Sequence, residues 1–303
     1  EPQNRPQFTA EFNTLGPVDD SMIGGTAAAS AVAAVLFVLV ELRSGNPLIP
    51  MRLFKNRNMV LTTAAGTVLG LAMTSSLAYL PTYLQMVHEL TPTEAGLMML
   101  PMVVGMLATG MAVGFIISKT GRYKMYPLVG MAITTAGLFL FSRLTPSTSL
   151  TTLGVYMFIF GFGLGLVMQV LVLIVQNSFP MAEVGTATAT NNFFRQIGSA
   201  VGASLSGSLF IHNMRQHLEE RLPEALQKMG PDAAPWAEKF GQGGANSLTP
   251  ELVTQLPPEL QEAVLSSYND GLTPVFLLMV PLAIFAFILL LPVEEEPLKE
   301  DLS

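Results

Sequence analysis

The chain has 303 residues, of which half are hydrophobic and 12% are charged, and its mean hydropathy is +0.48. A water-soluble domain of this length lacks the polar surface to cover so many apolar side chains, so the composition indicates a membrane protein. The net charge of -7 gives no reason to expect a nucleic acid partner. Since there is no cysteine, disulfides, thiolate metal sites and cysteine nucleophiles are excluded.

Apolar stretches long enough to cross a hydrocarbon core of about 30 Å recur along almost the whole chain. We predict seven spans, at Met22–Val40, Met59–Tyr79, Gly96–Ile117, Met125–Phe141, Leu150–Val175, Thr186–Ile211 and Leu272–Leu291. These runs are apolar all round and do not alternate, as the strands of a membrane β-barrel would. The predicted fold class is all-α, a polytopic membrane helical bundle.

Lysine and arginine in the short links predict the orientation of the spans, because cations near span ends are retained in the cytoplasm. The links after the first and third spans carry Arg43, Arg52, Lys55, Arg57, Lys119, Arg122 and Lys124. The short links on the other face carry Arg143 alone. We therefore predict a multi-pass protein of the inner (plasma) membrane, with its N-terminus outside and its C-terminus in the cytoplasm.

The spans and the orientation together divide the chain into segments. The prediction is an extracytoplasmic segment at 1–21, a linker transmembrane helix at 22–40, a cytoplasmic basic loop at 41–58, five helices at 59–212, an extracytoplasmic loop with short helices at 213–271, the last transmembrane helix at 272–292 and a cytoplasmic acidic tail at 293–303. Because Glu1 is neither a methionine nor the start of a signal peptide, we expect further sequence upstream.

The loop at 213–271 contains helix signals of its own. Helix starts are predicted at Thr249 and Pro257, and a helix stop is predicted at Asp270–Gly271. Two interpretations stay open: a folded cap on the outer face, or a segment that gates access of a substrate.

One ionisable side chain lies at membrane depth, where such groups are costly and mark functional positions. It is Arg195, in the sixth span beside Asn191, Asn192 and Gln196. Arg195 either pairs with a carboxylate or anionic group in a cavity, or extends its guanidinium to the nearer membrane interface.

Uncharged polar side chains concentrate on the second, fifth and sixth spans, whereas the fourth and seventh spans hold little beyond serine and threonine. This division predicts an inner set of helices around a cavity and an outer set facing lipid. The candidate substrate-cavity residues are Tyr79, Tyr83, Gln85, Met86, Gln169, Asn192 and Arg195. Hydrogen bonds between helices are the alternative role for each polar member.

Small residues at four-residue spacing predict close helix packing. The pairs are Gly110 and Gly114, Gly161 and Gly165, and Gly198 and Gly202.

The sequence offers no arrangement of residues for catalysis. The three histidines, His88, His212 and His217, are too scattered for a metal site, and no phosphate-binding glycine loop is present. We therefore predict that the protein is not an enzyme and needs no cofactor or metal.

The stretch "GFIISKTGRYK", Gly114–Lys124, resembles the loop motif of the major facilitator superfamily. The matching residues are Gly114, Lys119, Gly121, Arg122 and Lys124, while Ser118 stands where the better-known N-terminal copy of the motif has aspartate. The resemblance implies a conformational-switch motif, and Ser118 is typical of the copy in the second half of such transporters.

Three flanking stretches, Glu41–Met59, Tyr79–Gly105 and Asn191–Phe210, resemble the fourteen-helix drug:proton antiporters of the EmrB/QacA type. This resemblance implies the C-terminal half of such a transporter: one linker helix followed by a six-helix lobe. In this superfamily the substrate site lies between two lobes near the membrane midplane.

The resemblance implies a secondary active multidrug efflux transporter, which expels lipophilic or cationic compounds in exchange for protons by alternating access. Its partners would be a small lipophilic substrate, protons, the lipid bilayer and an N-terminal lobe missing from this chain. Since the spans contain no Asp or Glu at depth, we expect the coupling acid in that lobe. The alternatives are a lipid or metabolite exporter of the same superfamily, and a membrane-anchored interaction module that acts through 213–271.

Overall fold

The computed structural model describes residues 49–233, 235–236 and 250–298, together with Val32, Leu36 and Val40. The chain divides into two compact units, Glu1–Leu53 and Phe54–Ser303. In the first unit Val32, Leu36 and Val40 are helical and exposed. The predicted segment 1–21, and almost all of the predicted linker helix, lie outside the described residues.

Every described element is a helix, which confirms the all-α class. A 3₁₀ turn at Met51–Lys55 precedes α1 (Arg57–Val87), α2 (Pro92–Met98), α3 (Leu100–Thr120), α4 (Met125–Phe141), α5 (Leu150–Asn177), α6 (Met181–Met229), a 3₁₀ turn at Gly230–Ala233, α7 (Pro250–Val253) and α8 (Pro258–Leu290). No strand occurs in the part of the chain that the structure describes.

Four helical stretches are long and apolar enough to cross a membrane: α1, Pro92–Thr120 (α2 with α3), α5 and α8. The predicted fourth span, α4, is apolar but has only 17 residues. The predicted sixth span lies within the 49 residues of α6, which has the length but is not among those four. Arg195 and its polar neighbours lower the apolar character of that stretch.

Several helices begin at side chains that accept the hydrogen bonds of the first turn. Asn56 accepts from the amide of Met59 at 3.1 Å, and Ser149 accepts from the amide of Thr152 at 3.2 Å. Such caps satisfy amides that have no partner within the helix. They fix where α1 and α5 begin.

The long helices of the second unit pack in a defined order. α3 packs on α5, α5 on α4, and α4 on α8; α8 also packs on α1 and α6, which pack on each other. Exposed apolar side chains, including Val129, Phe139, Ile284, Phe285 and Ile288, cover the outward faces of α4 and α8. This distribution suits helices in contact with lipid.

Two of the three glycine pairs lie at close helix contacts, as predicted. An added methyl group would collide with the carbonyl oxygen of Met102 at Gly161 and with that of Thr67 at Gly198. A methyl group would likewise collide with the carbonyl oxygen of Met106 at Gly165 and with that of Leu71 at Gly202. These glycines let α5 approach α3, and α6 approach α1, to backbone contact.

The predicted helix stop at Asp270–Gly271 is wrong, because α8 runs through it without a break. The glycine packs there: a methyl group at Gly271 would lie 3.0 Å from the Cα atom of Met214 on α6. Asp270 forms an ion pair with Arg221 of α6. The predicted helix starts fit better, since α7 begins at Pro250 and α8 at Pro258.

Candidate functional site

The motif stretch forms the end of α3 and the turn into α4. Gly121 ends α3 in the left-handed region, with φ of 68°, and its amide bonds the carbonyl of Ile117 at 2.8 Å. Residues other than glycine adopt this conformation at a cost, so the motif glycine sets the turn. We call the end of the bundle that carries this turn the motif end, and the opposite end the far end.

The charged side chains of the motif, Lys119, Arg122 and Lys124, are all cationic. The Nζ of Lys119 lies 4.2 Å from the centre of the Phe115 ring, and the hydroxyl of Ser118 donates to the carbonyl of Phe115 at 2.8 Å. Arg122 is exposed. Its guanidinium is therefore accessible at the motif end.

A groove of about 430 Å³ runs between α3 and α5 towards the motif end. Its lining residues are mainly apolar or small: Gly110, Val113, Gly114, Ile117, Ser118, Val170, Val172, Leu173 and Leu298, with the amides of Gln169 and Gln176. A methyl group at Gly114 would meet no atom within 4 Å. Among the described residues no helix makes the close contact that the sequence predicts at Gly114.

Arg195 and Asn192 lie together on one turn of α6. The Nη2 of Arg195 donates to the Oδ1 of Asn192 at 2.7 Å, and both side chains are half-buried. The neighbouring Asn191 is buried and donates to the hydroxyl of Thr63 on α1 at 3.2 Å. Asn191 therefore faces α1, whereas Asn192 bonds Arg195 on the same helix.

At the far end Tyr83 has no exposed surface. Its hydroxyl lies 3.2 Å from the carbonyl oxygen of Thr145 and 3.1 Å from the Oδ1 of Asn269. The Nδ2 of Asn269 donates in turn to the carbonyl of Leu144 at 3.1 Å. In this structure the hydrogen bonds of Tyr83 join α1, the α4–α5 link and α8. Such bonding between helices is the alternative to a substrate contact.

The remaining α1 candidates are also engaged within the bundle. Tyr79 packs its ring against Phe210 of α6 with centroids 5.4 Å apart, and Gln85 donates to the carbonyl of Pro81 at 3.2 Å. Met86 is 4% exposed. The structure thus places the seven candidates in three regions: the far end, the groove and the Asn192–Arg195 turn.

His88 follows α1 at the far end. Its ring centre lies 5.8 Å from that of Tyr83, and its buried Nε2 has no hydrogen-bond partner among the described residues. Burial lowers the pKa of His88 below its usual value of about 6.5.

Sequence reasoning missed a set of polar residues at the motif end. Asn58, Tyr123 and Asn177 are 3%, 1% and 7% exposed, and all three hydrogen-bond the segment that follows α8. In the sequence each is one of several polar residues near a predicted span end, which is common in membrane proteins. Only the three-dimensional fold shows that they meet.

Comparison with known proteins agrees with this architecture. A family model described as the Major Facilitator Superfamily matches residues 19–203. A relative in Mycobacterium tuberculosis strain H37Rv, described as an MFS-type transporter, is 34% identical over 92% of this chain and 38% of its own length. The multidrug transporter protein MdtP of Bacillus subtilis is 28% identical over 85% of this chain and 50% of its own length.

Two further similarities extend the comparison. A tetracycline resistance determinant of Streptomyces rimosus is 27% identical over 82% of this chain and 76% of its own length. The crystal structure of a bacterial homolog of the human lysosomal transporter Spinster, inward-facing and unoccupied, superposes with a TM-score of 0.58 at 18% identity. The superposition covers 79% of this chain and 49% of that structure, and it shows that the two share a fold.

The chain spans half or less of the length of the mycobacterial transporter and of MdtP. The family model nonetheless matches more than half of this chain, and the helical bundle carries the motif turn at the end of α3. This chain belongs to the Major Facilitator Superfamily, and the relatives compared above are described as transporters or resistance proteins.

Proposed function

We propose that this chain is the C-terminal half of a proton-coupled exporter that expels lipophilic or cationic compounds by alternating access. The groove between α3 and α5 is the observation that carries the proposal. Its walls are apolar, two glutamine amides supply polar contacts, and it ends beside the motif turn. Small-molecule sites commonly combine apolar walls with a few polar groups.

The open space at Gly114 supports a missing partner surface. Glycine in a membrane helix ordinarily permits close approach of another backbone, yet none of the described residues approaches Gly114. Exposed apolar side chains continue along the same helix at Leu107, Met111 and Phe115. An N-terminal lobe, packed against this face of α3, is the partner we propose.

The substrate contacts that we propose are Gln169 in the groove, Tyr79, and the Asn192–Arg195 turn. Tyr83 and Met86 are too buried to touch a ligand in this arrangement. Arg122 and the motif turn would act in the switch between inward-facing and outward-facing states. We propose that the protein lies in the plasma membrane, with the motif end on the cytoplasmic side.

Proton coupling needs a group that binds and releases a proton as the transporter alternates between sides. The described helices α1, α3, α4 and α5 contain no Asp or Glu, nor does α8 from Leu272 onwards. We therefore propose that the coupling carboxylate belongs to the N-terminal lobe. The multidrug and tetracycline names of two relatives support the substrate class.

The test compares the chain alone with the protein that also contains the proposed N-terminal lobe. Inside-out membrane vesicles receive an imposed pH gradient, and uptake of a fluorescent lipophilic cation is followed. We expect gradient-driven uptake with both lobes, abolished by an ionophore that dissipates the gradient, and none with the chain alone. Gradient-driven uptake by the chain alone would overturn the assignment of the acid, and gradient-independent uptake with both lobes would overturn proton coupling.

A further inference from the structure

The segment after α8, Val293–Leu298, lies across the motif end, and we call it the tail. It begins at Val293, which is 2% exposed, and reaches Leu298, which lines the groove between α3 and α5. The tail therefore extends from the end of the last helix to the opening of the groove that we propose as a binding site.

The backbone of the tail is held by buried side chains from three parts of the bundle. Asn58 of α1 accepts from the amide of Glu294 at 2.9 Å and donates to its carbonyl at 3.0 Å. The hydroxyl of Tyr123 in the motif turn accepts from the amide of Glu296 at 2.7 Å. Asn177 of α5 donates to the carbonyl oxygens of Glu296 and Pro297 at 3.2 and 3.1 Å.

One tail side chain bonds the motif turn directly. The Oε1 of Glu295 accepts from the amides of Tyr123 and Lys124, at 2.6 and 3.2 Å. These amides lie at the start of α4, which has no side-chain cap of its own at Lys124. A carboxylate at a helix start satisfies amides without helical partners and interacts favourably with the helix dipole.

We propose that the tail is a latch with a docked and a released state, and that Glu295 is the positioning residue that favours docking. In the docked state the tail fixes the start of α4 against the ends of α1 and α5 and places Leu298 in the wall of the groove. Movement of the motif turn relative to α5 requires that these hydrogen bonds break. The role of this release in transport rests on the proposed function, whereas docking itself can be measured without transport.

The adjacent glutamate provides a matched control. Glu294 pairs with Arg57 at 3.1 Å, but the two side chains are 72% and 63% exposed. Exposed ion pairs contribute little to stability, whereas a hydrogen bond to a charged acceptor contributes more. Glu294→Ala and Glu295→Ala remove the same charge from neighbouring positions, and only the second removes the bonds to the amides of Tyr123 and Lys124.

The experiment places a nitroxide on the tail, in a chain that has no natural cysteine. Leu298→Cys is labelled in membranes without substrate or pH gradient, and the ratio of mobile to immobile spectral components reports release. We expect Glu295→Ala to raise this ratio about tenfold, because a charge-assisted bond is lost. Glu294→Ala is expected to change it less than twofold.

Tyr123→Phe keeps the buried ring and removes the acceptor of the Glu296 amide, so we expect a rise of about three- to tenfold. This variant tests the latch should Glu295→Ala fail to fold. Equal ratios in the Glu294 and Glu295 variants, or an unchanged ratio in Tyr123→Phe, would overturn the latch. The spin-label measurement does not require transport, so its result holds even if the proposed function is wrong.

Discussion

Single glycines decide how closely the helices of this bundle approach. Gly198 and Gly202 on α6 meet carbonyl oxygens of α1, and Gly161 and Gly165 on α5 meet those of α3. Gly114 carries the same spacing in the sequence but faces open space. The effect of an added methyl group therefore depends on where the glycine lies in the fold and not on the four-residue spacing.

We expect Gly198→Ala to destabilise the chain, whereas Gly114→Ala should not, because alanine is the better helix former and meets no neighbour there. The first substitution forces α6 away from Thr67, and overpacking of this kind costs about 1–3 kcal/mol. For a chain of this size the cost corresponds to a fall of about 2–5 °C in Tm. Thermal unfolding of both variants in the same detergent checks this, and equal Tm values would contradict it.

The two glycines also show the limit of sequence reasoning at this scale. Spacing predicted the role of Gly198, because close packing of membrane helices needs small residues. The same spacing was uninformative for Gly114, since the pattern does not say which helix lies opposite. The tail partners Asn58, Tyr123 and Asn177 were unpredictable for a similar reason: each contact joins residues more than a hundred positions apart.

At the scale of elements, α6 and α8 extend past their apolar stretches at the far end. α6 runs to Met229, and α8 begins at Pro258, so both helices project beyond the predicted spans. The ion pair between Arg221 and Asp270 joins the two projections, and Asn269 also donates to Asp270 at 3.3 Å. The predicted loop at 213–271 is thus largely helical where the structure describes it.

Asp270→Ala should loosen these projections. Both partners of the Arg221–Asp270 pair are more than half buried, and the pair is made by the Nη2 of Arg221, while its buried Nη1 has no hydrogen-bond partner among the described residues. We expect a loss of about 1 kcal/mol, larger than that of an exposed pair. Hydrogen exchange of 213–229 and 258–270 measures the loosening.

Glu224→Ala is the matched control for this substitution. It breaks the pair with Lys228, four residues along the same helix, in which both side chains are more than 60% exposed. Its effect on exchange should be much smaller. A Glu224 variant that loosens the projections as much as Asp270→Ala would contradict a structural role for the Arg221–Asp270 pair.

At the scale of elements the sequence predicted the helices well and their ends less well. Apolar runs locate α1, α3, α4, α5 and the later part of α8, because the length of a span is set by the bilayer. The Asp270–Gly271 pair is a typical stop signal in isolation. Tertiary packing against Met214 and Arg221 overrides it, and nothing local in the sequence indicates that contact.

Two of the apolar surfaces among the described residues are the faces of α4 and α8, which suit lipid, and the face of α3 beside the groove. The second is the surface that we propose an N-terminal lobe would cover. The exporter and the interaction module differ here, because a module that acts through 213–271 needs neither groove nor second lobe.

Deletion of residues 237–249 separates the two functions. It spares α6 and α8 as the structure describes them, whereas removal of all of 213–271 would cut both helices. In the protein with both lobes we expect drug efflux to persist at no less than about half its normal rate. Efflux of a fluorescent lipophilic cation from whole cells measures this, and complete loss with normal membrane insertion would favour the interaction module.

The position of the tail also bears on biosynthesis. Chains are made from the N-terminus, so the tail leaves the ribosome after every helix that it contacts. Asn58, Tyr123 and Asn177 must wait for their hydrogen-bond partners until synthesis of this segment is complete. A premature stop codon after Leu291 would therefore spare the helices α1 to α8 and still leave these three side chains permanently without their partners in the tail.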